Sequence, residues 1–146
     1  MPDNKDKTRM VKMLADVPLF AGLKNKQLKS IADSFARERS YNEGQVIEQE
    51  GGSAVAFYLI TDGAVEVRKR QRKVAKLGKG QFFGEMALID NQPRSATVIA
   101  MGTNTKALVM PSWSFKAAIK KDPQLAMGVM GELARRLRET TKSLSE

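Results

Sequence analysis

The chain has 146 residues, of which 42% are apolar and 28% are charged, a composition that suits one folded domain with one core. It contains neither cysteine nor histidine, which excludes disulfides, Cys–His and Ser–His–Asp catalysis, and the usual zinc and copper sites. The net charge of +9 favours anionic partners, and no stretch approaches the apolar length of a membrane span or a secretory signal. We therefore expect a cytoplasmic protein with no metal and no membrane segment.

The first 35 residues are predicted to form short helices. Met10, Met13, Leu14 and Val17 recur at helical spacing before Pro18 interrupts the pattern. A second apolar series with the same period follows, and it comprises Leu23, Leu28, Ile31, Ala32 and Phe35. We assign residues 1–35 to an N-terminal helical segment.

Residues 36–111 consist of short β-rich runs separated by turn residues. The predicted strands lie at residues 46–47, 55–60, 64–70, 73–77, 97–101 and 106–110. Asp62–Gly63 is a strong signal for a tight turn between two of them. Strands this short and this evenly spaced predict a β-sandwich or a β-barrel.

The charge of this central region is uneven. Residues 41–62 carry four acidic side chains and no Lys or Arg, whereas residues 63–80 carry seven Lys or Arg and one Glu. Most of the positive charge lies in residues 68–73. One interpretation is a solvated hairpin whose charged edges discourage association between sheets, and the other is a nucleic-acid-binding patch.

Residues 112–146 return to helical signals. Ser112 can begin a short helix, and Asp122–Pro123 combine an N-cap residue with a proline at the first helical position. The helix that follows carries a heptad seam with one polar member, which comprises Met130, Leu133, Leu137, Thr140 and Leu144. This seam predicts a homodimer through the C-terminal helix. Packing of the same stripe within the chain is the alternative.

The segment from residue 80 to residue 98 concentrates the chemistry of the sequence. A strand ends at Phe83, Gly84 allows the backbone to approach another group closely, and the residues after it can form one helical turn. Arg94 can direct its guanidinium back towards the start of that turn, and an Arg that meets a helix N-terminus suits a phosphate. Glu85 beside that point needs another partner, and a sugar hydroxyl can donate to its carboxylate.

This segment resembles the phosphate-binding cassette of the cyclic nucleotide-binding domain family. The family pattern is Phe-Gly-Glu and an apolar pair, followed by Pro-Arg, a small residue and Ala-Thr-Val, and this chain matches it at Gly84, Glu85, Arg94 and Ala96. The resemblance implies an α+β fold: an eight-stranded antiparallel β jelly-roll barrel with N-terminal helices, a short cassette helix and a long C-terminal helix. Residues 36–111 would form the β-roll with the cassette at 80–98, and residues 112–146 would form the C-terminal helices of a single domain.

The same resemblance implies a ligand, cAMP or cGMP, and a role for each site residue. Glu85 would take the ribose 2′-hydroxyl, while Arg94, Ser95 and the backbone N–H groups after Gly84 would hold the cyclic phosphate. The implied contact set is Phe83, Gly84, Glu85, Met86, Ala87, Arg94 and Ser95, with Val67 and Val74 as an apolar wall. The structural alternatives are that Gly84 only turns a barrel corner and that Glu85 and Arg94 pair with each other.

The stretch from Ala134 to Thr141 resembles the dimer helix of the catabolite-activator branch of the family. That resemblance implies that Thr140 and Thr141 contact the adenine, which favours cAMP over cGMP. The branch continues into a DNA-binding domain, whereas this sequence ends at Glu146. We therefore expect a sensor without a DNA-binding domain, either a stand-alone protein or a fragment, that acts on an unknown effector protein.

The sequence is thus interpreted as a regulatory sensor and not an enzyme, in which ligand binding moves the C-terminal helix. Two alternatives are a ligand-blind dimerising scaffold and a basic nucleic-acid-binding protein. Titration with cyclic nucleotides and salt-dependent DNA binding would distinguish these three functions.

Overall fold

The computed structural model describes residues 4–35, 37–53 and 56–145, with the backbone alone for residues 4–6, 86–88 and 145. The elements in chain order are α1 (Asn4–Ala15), a 3₁₀ turn (Pro18–Phe20), α2 (Asn25–Ser34), β1 (Arg37–Tyr41), β2 (Val46–Glu48), β3 (Ala56–Lys69), β4 (Arg72–Gly78), β5 (Phe82–Phe83), α3 (Glu85–Asp90), β6 (Thr97–Pro111), α4 (Ser112–Lys121) and α5 (Pro123–Ser145). They fall into two compact units. One contains the strands, residues 34–116, and the other contains the helices up to Asp33 and from Ala117.

The strand unit is an antiparallel sheet with the order β1-β6-β3-β4, in which β2 also pairs with β6 and β5 with β3. The expectation of an eight-stranded closed barrel is therefore wrong in its count, since the described residues form six strands in a sheet that does not close. Two long strands, β3 and β6, each replace two of the short strands predicted from the sequence. They pair with each other from Ala56 opposite Pro111 to Arg68 opposite Thr97.

The hairpin turn predicted at Asp62–Gly63 is also wrong, because these residues lie inside β3. The register between β3 and β6 shifts between Ile60 and Asp62 and again between Asp62 and Ala64. Gly63 has a φ of +73°, and a Cβ there would lie 2.7 Å from Thr105 Oγ1, so only glycine fits at this position. Between Asp62 and Ala64 the paired residue of β6 moves from Lys106 to Met101, so the ladder is interrupted there and resumes at Ala64, which is why the turn signal did not end the strand.

Side chains that alternate along β3 fill both sides of the sheet. Phe57 lies 4.9 Å from Phe115 and 5.3 Å from Phe82 between ring centroids, on one side. Tyr58 stacks on Phe83 at 4.7 Å within a second buried cluster. The two adjacent residues of β5 are thus held in different clusters. This fixes the point at which the chain leaves the sheet before α3.

The helical unit confirms the predicted helix start at Asp122–Pro123. Asp122 Oδ1 accepts the backbone N–H of Gln124 at 3.2 Å, as an N-cap does. Leu125 and Val129 are buried, but no described α5 side chain after Val129 is buried. Within the described residues, no helix combines the length and the apolar character that a membrane crossing needs.

The exposed part of α5 carries large apolar side chains. Met130 is 54% exposed, Leu137 67% and Leu144 84%. These are three of the five positions of the predicted heptad seam. The chain therefore leaves that seam open to solvent along most of α5.

Candidate functional site

The site begins at Gly84, between β5 and α3. Its φ is +93°, and a Cβ would lie 2.8 Å from the carbonyl oxygen of Ala56 and 3.0 Å from Nη1 of Arg94. Backbone conformation and space therefore both require glycine at this position. The predicted helical turn after it is observed as α3, which starts at Glu85.

Arg94 lies inside the strand unit, with only 5% of its surface exposed. Its Nη1 donates to the carbonyl oxygen of Gly84 at 2.6 Å, and its Nη2 donates to that of Ala56 at 2.6 Å. The guanidinium thus returns to the start of α3, as the sequence predicts. Strand β6 begins only at Thr97, so Arg94 belongs to the loop before it and does not open the strand.

The carboxylate that holds Arg94 is Glu48 at the end of β2. Glu48 Oε2 accepts the Arg94 Nε–H at 3.1 Å and Oε1 accepts an Nη2–H at 3.1 Å, and Glu48 is only 7% exposed. This is a buried bidentate ion pair across 46 residues of sequence. Glu48 was not predicted from the sequence. The available signal was a charged residue directly after Val46–Ile47, but simple alternation does not turn it inward, since Val46 is exposed and the register shifts between Val46 and Glu48.

The hydrogen bonds of Arg94 to the described residues use four of its five N–H groups. A guanidinium has five N–H groups. Four of them donate to Glu48, Gly84 and Ala56, and the fifth, on Nη1, has no acceptor among the described residues. That N–H is on Nη1, the nitrogen that would lie 3.0 Å from a Cβ at residue 84.

Two tyrosines lie in the same interior cluster as this ion pair. Burial raises the pKa of Tyr58 above the usual range, and the nearby Glu48 carboxylate raises it further. Burial also raises the pKa of Tyr41, and its hydroxyl has no hydrogen-bond partner among the described residues. Both phenols therefore stay neutral at physiological pH. Glu48 lies among neutral groups, and its charge is balanced by Arg94.

The other cassette residues predicted from the sequence differ in burial. Glu85 is buried, with 3% of its surface exposed, whereas Ser95 is exposed. Phe83 is buried against Tyr58. The side chains of Met86 and Ala87 lie outside the described residues.

The two residues predicted to form an apolar wall differ in exposure. Val67 is partly buried and packs against the interior cluster. Val74 is 59% exposed and lies at a register shift in β4, between Lys73 opposite Arg68 and Ala75 opposite Val67. Only Val67 therefore contributes to the packed interior.

Thr140 and Thr141 lie on the exposed part of α5, in the helical unit. Their hydroxyls donate to the backbone carbonyls of Arg136 at 3.0 Å and Leu137 at 2.9 Å. Such bonds to the preceding turn satisfy the hydroxyl protons and leave oxygen lone pairs available. Their contact with a base stays a prediction.

In the described part of the chain, no group of three or more Asp or Glu side chains is placed to hold a metal ion. The site instead combines a buried cation, a buried acid and a glycine.

The ion pair predicts a specific pattern of stability. Arg94→Met should lower the free energy of unfolding by about 3–5 kcal/mol, because it leaves the Glu48 carboxylate buried without its cation. Adding Glu48→Met should restore part of that loss, since it removes the unpaired charge. Chemical denaturation followed by circular dichroism measures both variants.

Arg68→Met is the matched control for this measurement. Arg68 pairs with Glu66 at 2.6 Å, but its side chain is 43% exposed, so we expect a loss below about 1 kcal/mol. If Glu48→Met instead destabilised the Arg94→Met variant further, the pair would not be what holds Arg94 in place.

Comparison with known proteins places the sequence in a family. The sequence pattern described as the cyclic nucleotide-binding domain matches residues 38–122. The Cyclic AMP receptor protein of Thermus thermophilus is 35% identical over 132 residues, which are 87% of this chain and 60% of that protein. A cAMP-dependent protein kinase regulatory subunit of Mycosarcoma maydis is 40% identical over 100 residues, which are 66% of this chain and 19% of that protein.

A solved structure shows the same fold. The regulatory domain of Toxoplasma gondii PKA, crystallised with cAMP, superposes with a TM-score of 0.79 at 26% identity, over 92% of this chain and 51% of that one. This chain spans less than two thirds of the length of each of these three proteins. Because the family pattern covers more than half of the sequence, and the cassette from Gly84 to Arg94 lies inside it, this chain belongs to the cyclic nucleotide-binding domain family.

Proposed function

We propose that this chain binds a cyclic nucleotide at the cassette, with cAMP preferred over cGMP, and acts as a regulatory sensor and not as an enzyme. One observation carries the proposal: Arg94 is fixed by four hydrogen bonds, and the N–H of its guanidinium that meets no acceptor among the described residues is on the nitrogen beside Gly84. A prepositioned charged donor next to a residue without a side chain suits an anionic oxygen. The cAMP named with the similar regulatory domain supports this ligand class.

The roles of the site residues follow from their chemistry. The cyclic phosphate would accept from Arg94 and from Ser95, whose exposed hydroxyl can donate. Glu85 would accept from the ribose 2′-hydroxyl, an interaction that suits a buried carboxylate better than a phosphate does. Val67 would face the sugar and base with Val74 at the outer end of the wall. A ligand that contacts all these groups at once would order the cassette between β5 and β6.

The C-terminal helix is the proposed output. The hydroxyl protons of Thr140 and Thr141 are donated to backbone carbonyls, so their oxygens would accept from the 6-amino group of adenine, whereas donation to the 6-oxygen of guanine would cost one of those bonds. The two threonines would therefore supply the contact that differs between the ligands. A ligand shifts a conformational equilibrium only through differential contacts. Contacts of the base with α5 would provide them. An effector protein would then read the position of α5.

The Glu48 pair also supports a second candidate function, a ligand-blind scaffold. Because Glu48 already balances the charge of Arg94, the pair could stabilise the fold alone, and the cassette would then bind no ligand. Binding measurements separate the two candidates.

Isothermal titration of the purified chain should show cAMP binding more tightly than cGMP, by no more than about tenfold. The two ligands share phosphate and ribose, and a single hydrogen bond to the base contributes about 0.5–1.5 kcal/mol. The Arg94→Met, Glu48→Met double variant should lose at least about 30-fold in affinity, since it removes the charge-assisted contact to the phosphate. Arg68→Met should bind as the wild type does. Failure of the wild type to bind either nucleotide would support the scaffold.

Glu85→Gln should weaken cAMP by about tenfold or more, because a hydrogen bond to a charged group contributes about 1.5–3 kcal/mol. The same variant should bind 2′-deoxy-cAMP almost as the wild type does, since that ligand already lacks the proposed partner. Titrations of both proteins with both ligands form a thermodynamic cycle that isolates the pair. Purely additive effects would show that Glu85 acts on the fold and not on the ribose.

We further propose that the exposed seam of α5 forms a homodimer. Leu137→Asp should give a monomer in sedimentation velocity experiments, because a charge at a seam position cannot be buried against a second helix. Arg138→Asp is the neighbouring control, since it lies outside the seam on the exposed surface, and it should still dimerise. A wild type that stays monomeric at high concentration, with and without cAMP, would contradict the dimer.

A further inference from the structure

The basic hairpin, residues 68–76, carries a row of cations that the proposed ligand contacts do not use, although Val74 of the proposed apolar wall lies within it. It comprises the last two residues of β3, a two-residue turn and the first five residues of β4. The segment holds six cations and no acid, namely Arg68, Lys69, Arg70, Arg72, Lys73 and Lys76. All its residues after Arg68 are exposed. Arg68 pairs with Glu66, and none of the other five cations forms an ion pair with a described residue.

The pairing of the two strands brings like charges together. Arg68 lies directly opposite Lys73, and Lys69 directly opposite Arg72. Like charges at directly opposite positions destabilise a strand pair. The hairpin therefore carries a repulsion that an alternation of signs would have avoided.

The turn shows the same conflict between local stability and charge. Arg70 has a φ of +53° and Gln71 a φ of +67°, so both central residues are in the left-handed region. Tight hairpin turns of this kind strongly favour Asn or Gly, since the left-handed conformation costs other residues about 1–2 kcal/mol. Here an arginine occupies the tip instead. Local rules that are broken without a packing gain are expected at functional sites.

The tip is nevertheless held in place. The backbone N–H of Arg70 donates to Glu50 Oε1 at 2.9 Å, which ties the turn to the loop that follows β2. The cations are therefore presented from an anchored ribbon and not from a flexible loop. An anchored array loses less conformational entropy when it binds an anion.

We propose that the basic hairpin binds the phosphate backbone of a nucleic acid duplex. Cations lie on both faces of the ribbon, with Arg68 and Lys73 on one face, Lys69 and Arg72 on the other, and Arg70 at the tip. A groove surrounds such a ribbon with phosphates on two sides, and the major groove of DNA admits a two-stranded β-ribbon. A flat membrane would contact one face at a time. This proposal does not depend on the cyclic nucleotide.

Two other partners fit the hairpin less well. Residues 63–80 contain no aromatic side chain, so unpaired bases would have nothing on which to stack. Addition of an acidic peptide strand to the free edge of β4 is opposed by the register shift at Val74, since bulges and edge lysines obstruct strand addition. Contacts of the cationic side chains with phosphates are therefore the interaction that best fits the hairpin.

The number of contacts can be read from the salt dependence of binding. Five unpaired cations that each neutralise one phosphate give a slope of about −4.5 for log K against log salt. Arg70→Gln, Arg72→Gln and Lys73→Gln together should reduce the magnitude of that slope by about 2.7. The same triple variant should be at least as thermally stable as the wild type, because it relieves the cross-strand repulsion.

The experiment measures fluorescence anisotropy of a labelled 20-base-pair DNA duplex between 50 and 200 mM salt, on the full chain. We expect the hairpin triple variant to lose at least about 30-fold in affinity, in proportion to its smaller slope. A charge-matched control replaces three exposed lysines of the helical unit, Lys24, Lys26 and Lys120, with Gln, and it should change affinity less than about threefold.

Three results would overturn the proposal. Equal losses in both triple variants would assign binding to the net charge of the chain. No duplex binding by the wild type at 50 mM salt would remove the function altogether. Tighter, hairpin-dependent binding to phosphatidylserine vesicles or to poly-glutamate than to the duplex would assign the surface to a membrane or to an acidic protein.

Discussion

The buried pair of Arg94 and Glu48 is the interaction on which the site depends. A guanidinium taken out of water must find acceptors for its N–H groups and a counter-charge, or the fold loses several kcal/mol. Glu48 supplies the charge, and the carbonyls of Ala56 and Gly84 supply the remaining acceptors. These requirements bring together β2, β3 and the loop before β6. The position of the cation is therefore a property of the whole strand unit.

Gly84 turns this structural arrangement into a site. A side chain at residue 84 would collide with Ala56 and with the guanidinium, so its absence is what lets the start of α3 lie against Arg94. The remaining Nη1–H has no acceptor among the described residues and is on the nitrogen that lies against this glycine. Neutralisation by Glu48 lowers the long-range attraction of Arg94 for anions. Affinity would then come from a fixed, directional donor more than from net charge.

The basic hairpin differs from the Arg94–Glu48 pair of the same unit in the burial and pairing of its charges. Arg94 is buried and paired, whereas the cations of residues 68–76 are exposed and, apart from Arg68, without ion pairs among the described residues. A buried pair selects a small ligand by geometry, and it responds little to salt. An exposed row of cations attracts polyanions over a Debye length and responds strongly to salt. The ligands proposed for the two surfaces therefore differ in size and in the salt dependence expected of their binding.

The sequence by itself determined those features that rest on local chemistry. Pro123 after Asp122 starts α5 because a proline at the first helical position loses no hydrogen bond. Gly84, the acid after it and Arg94 ten positions after the glycine indicated the candidate site through their resemblance to the cassette, because these residues lie within one short segment. The family itself could be inferred from that register of residues.

Only the tertiary structure decided the features that depend on contacts between distant segments. Asp62–Gly63 has the sequence of a turn, yet pairing with β6 resumes at Ala64 after the interruption, so one long strand, β3, replaces two short ones. Glu48 could not be assigned from the sequence, because its partner lies 46 residues away and its role exists only when β2 is placed beside the cassette. Local sequence fixes backbone preferences within a few residues, whereas the pairing of buried charges is decided by which strands share an interior.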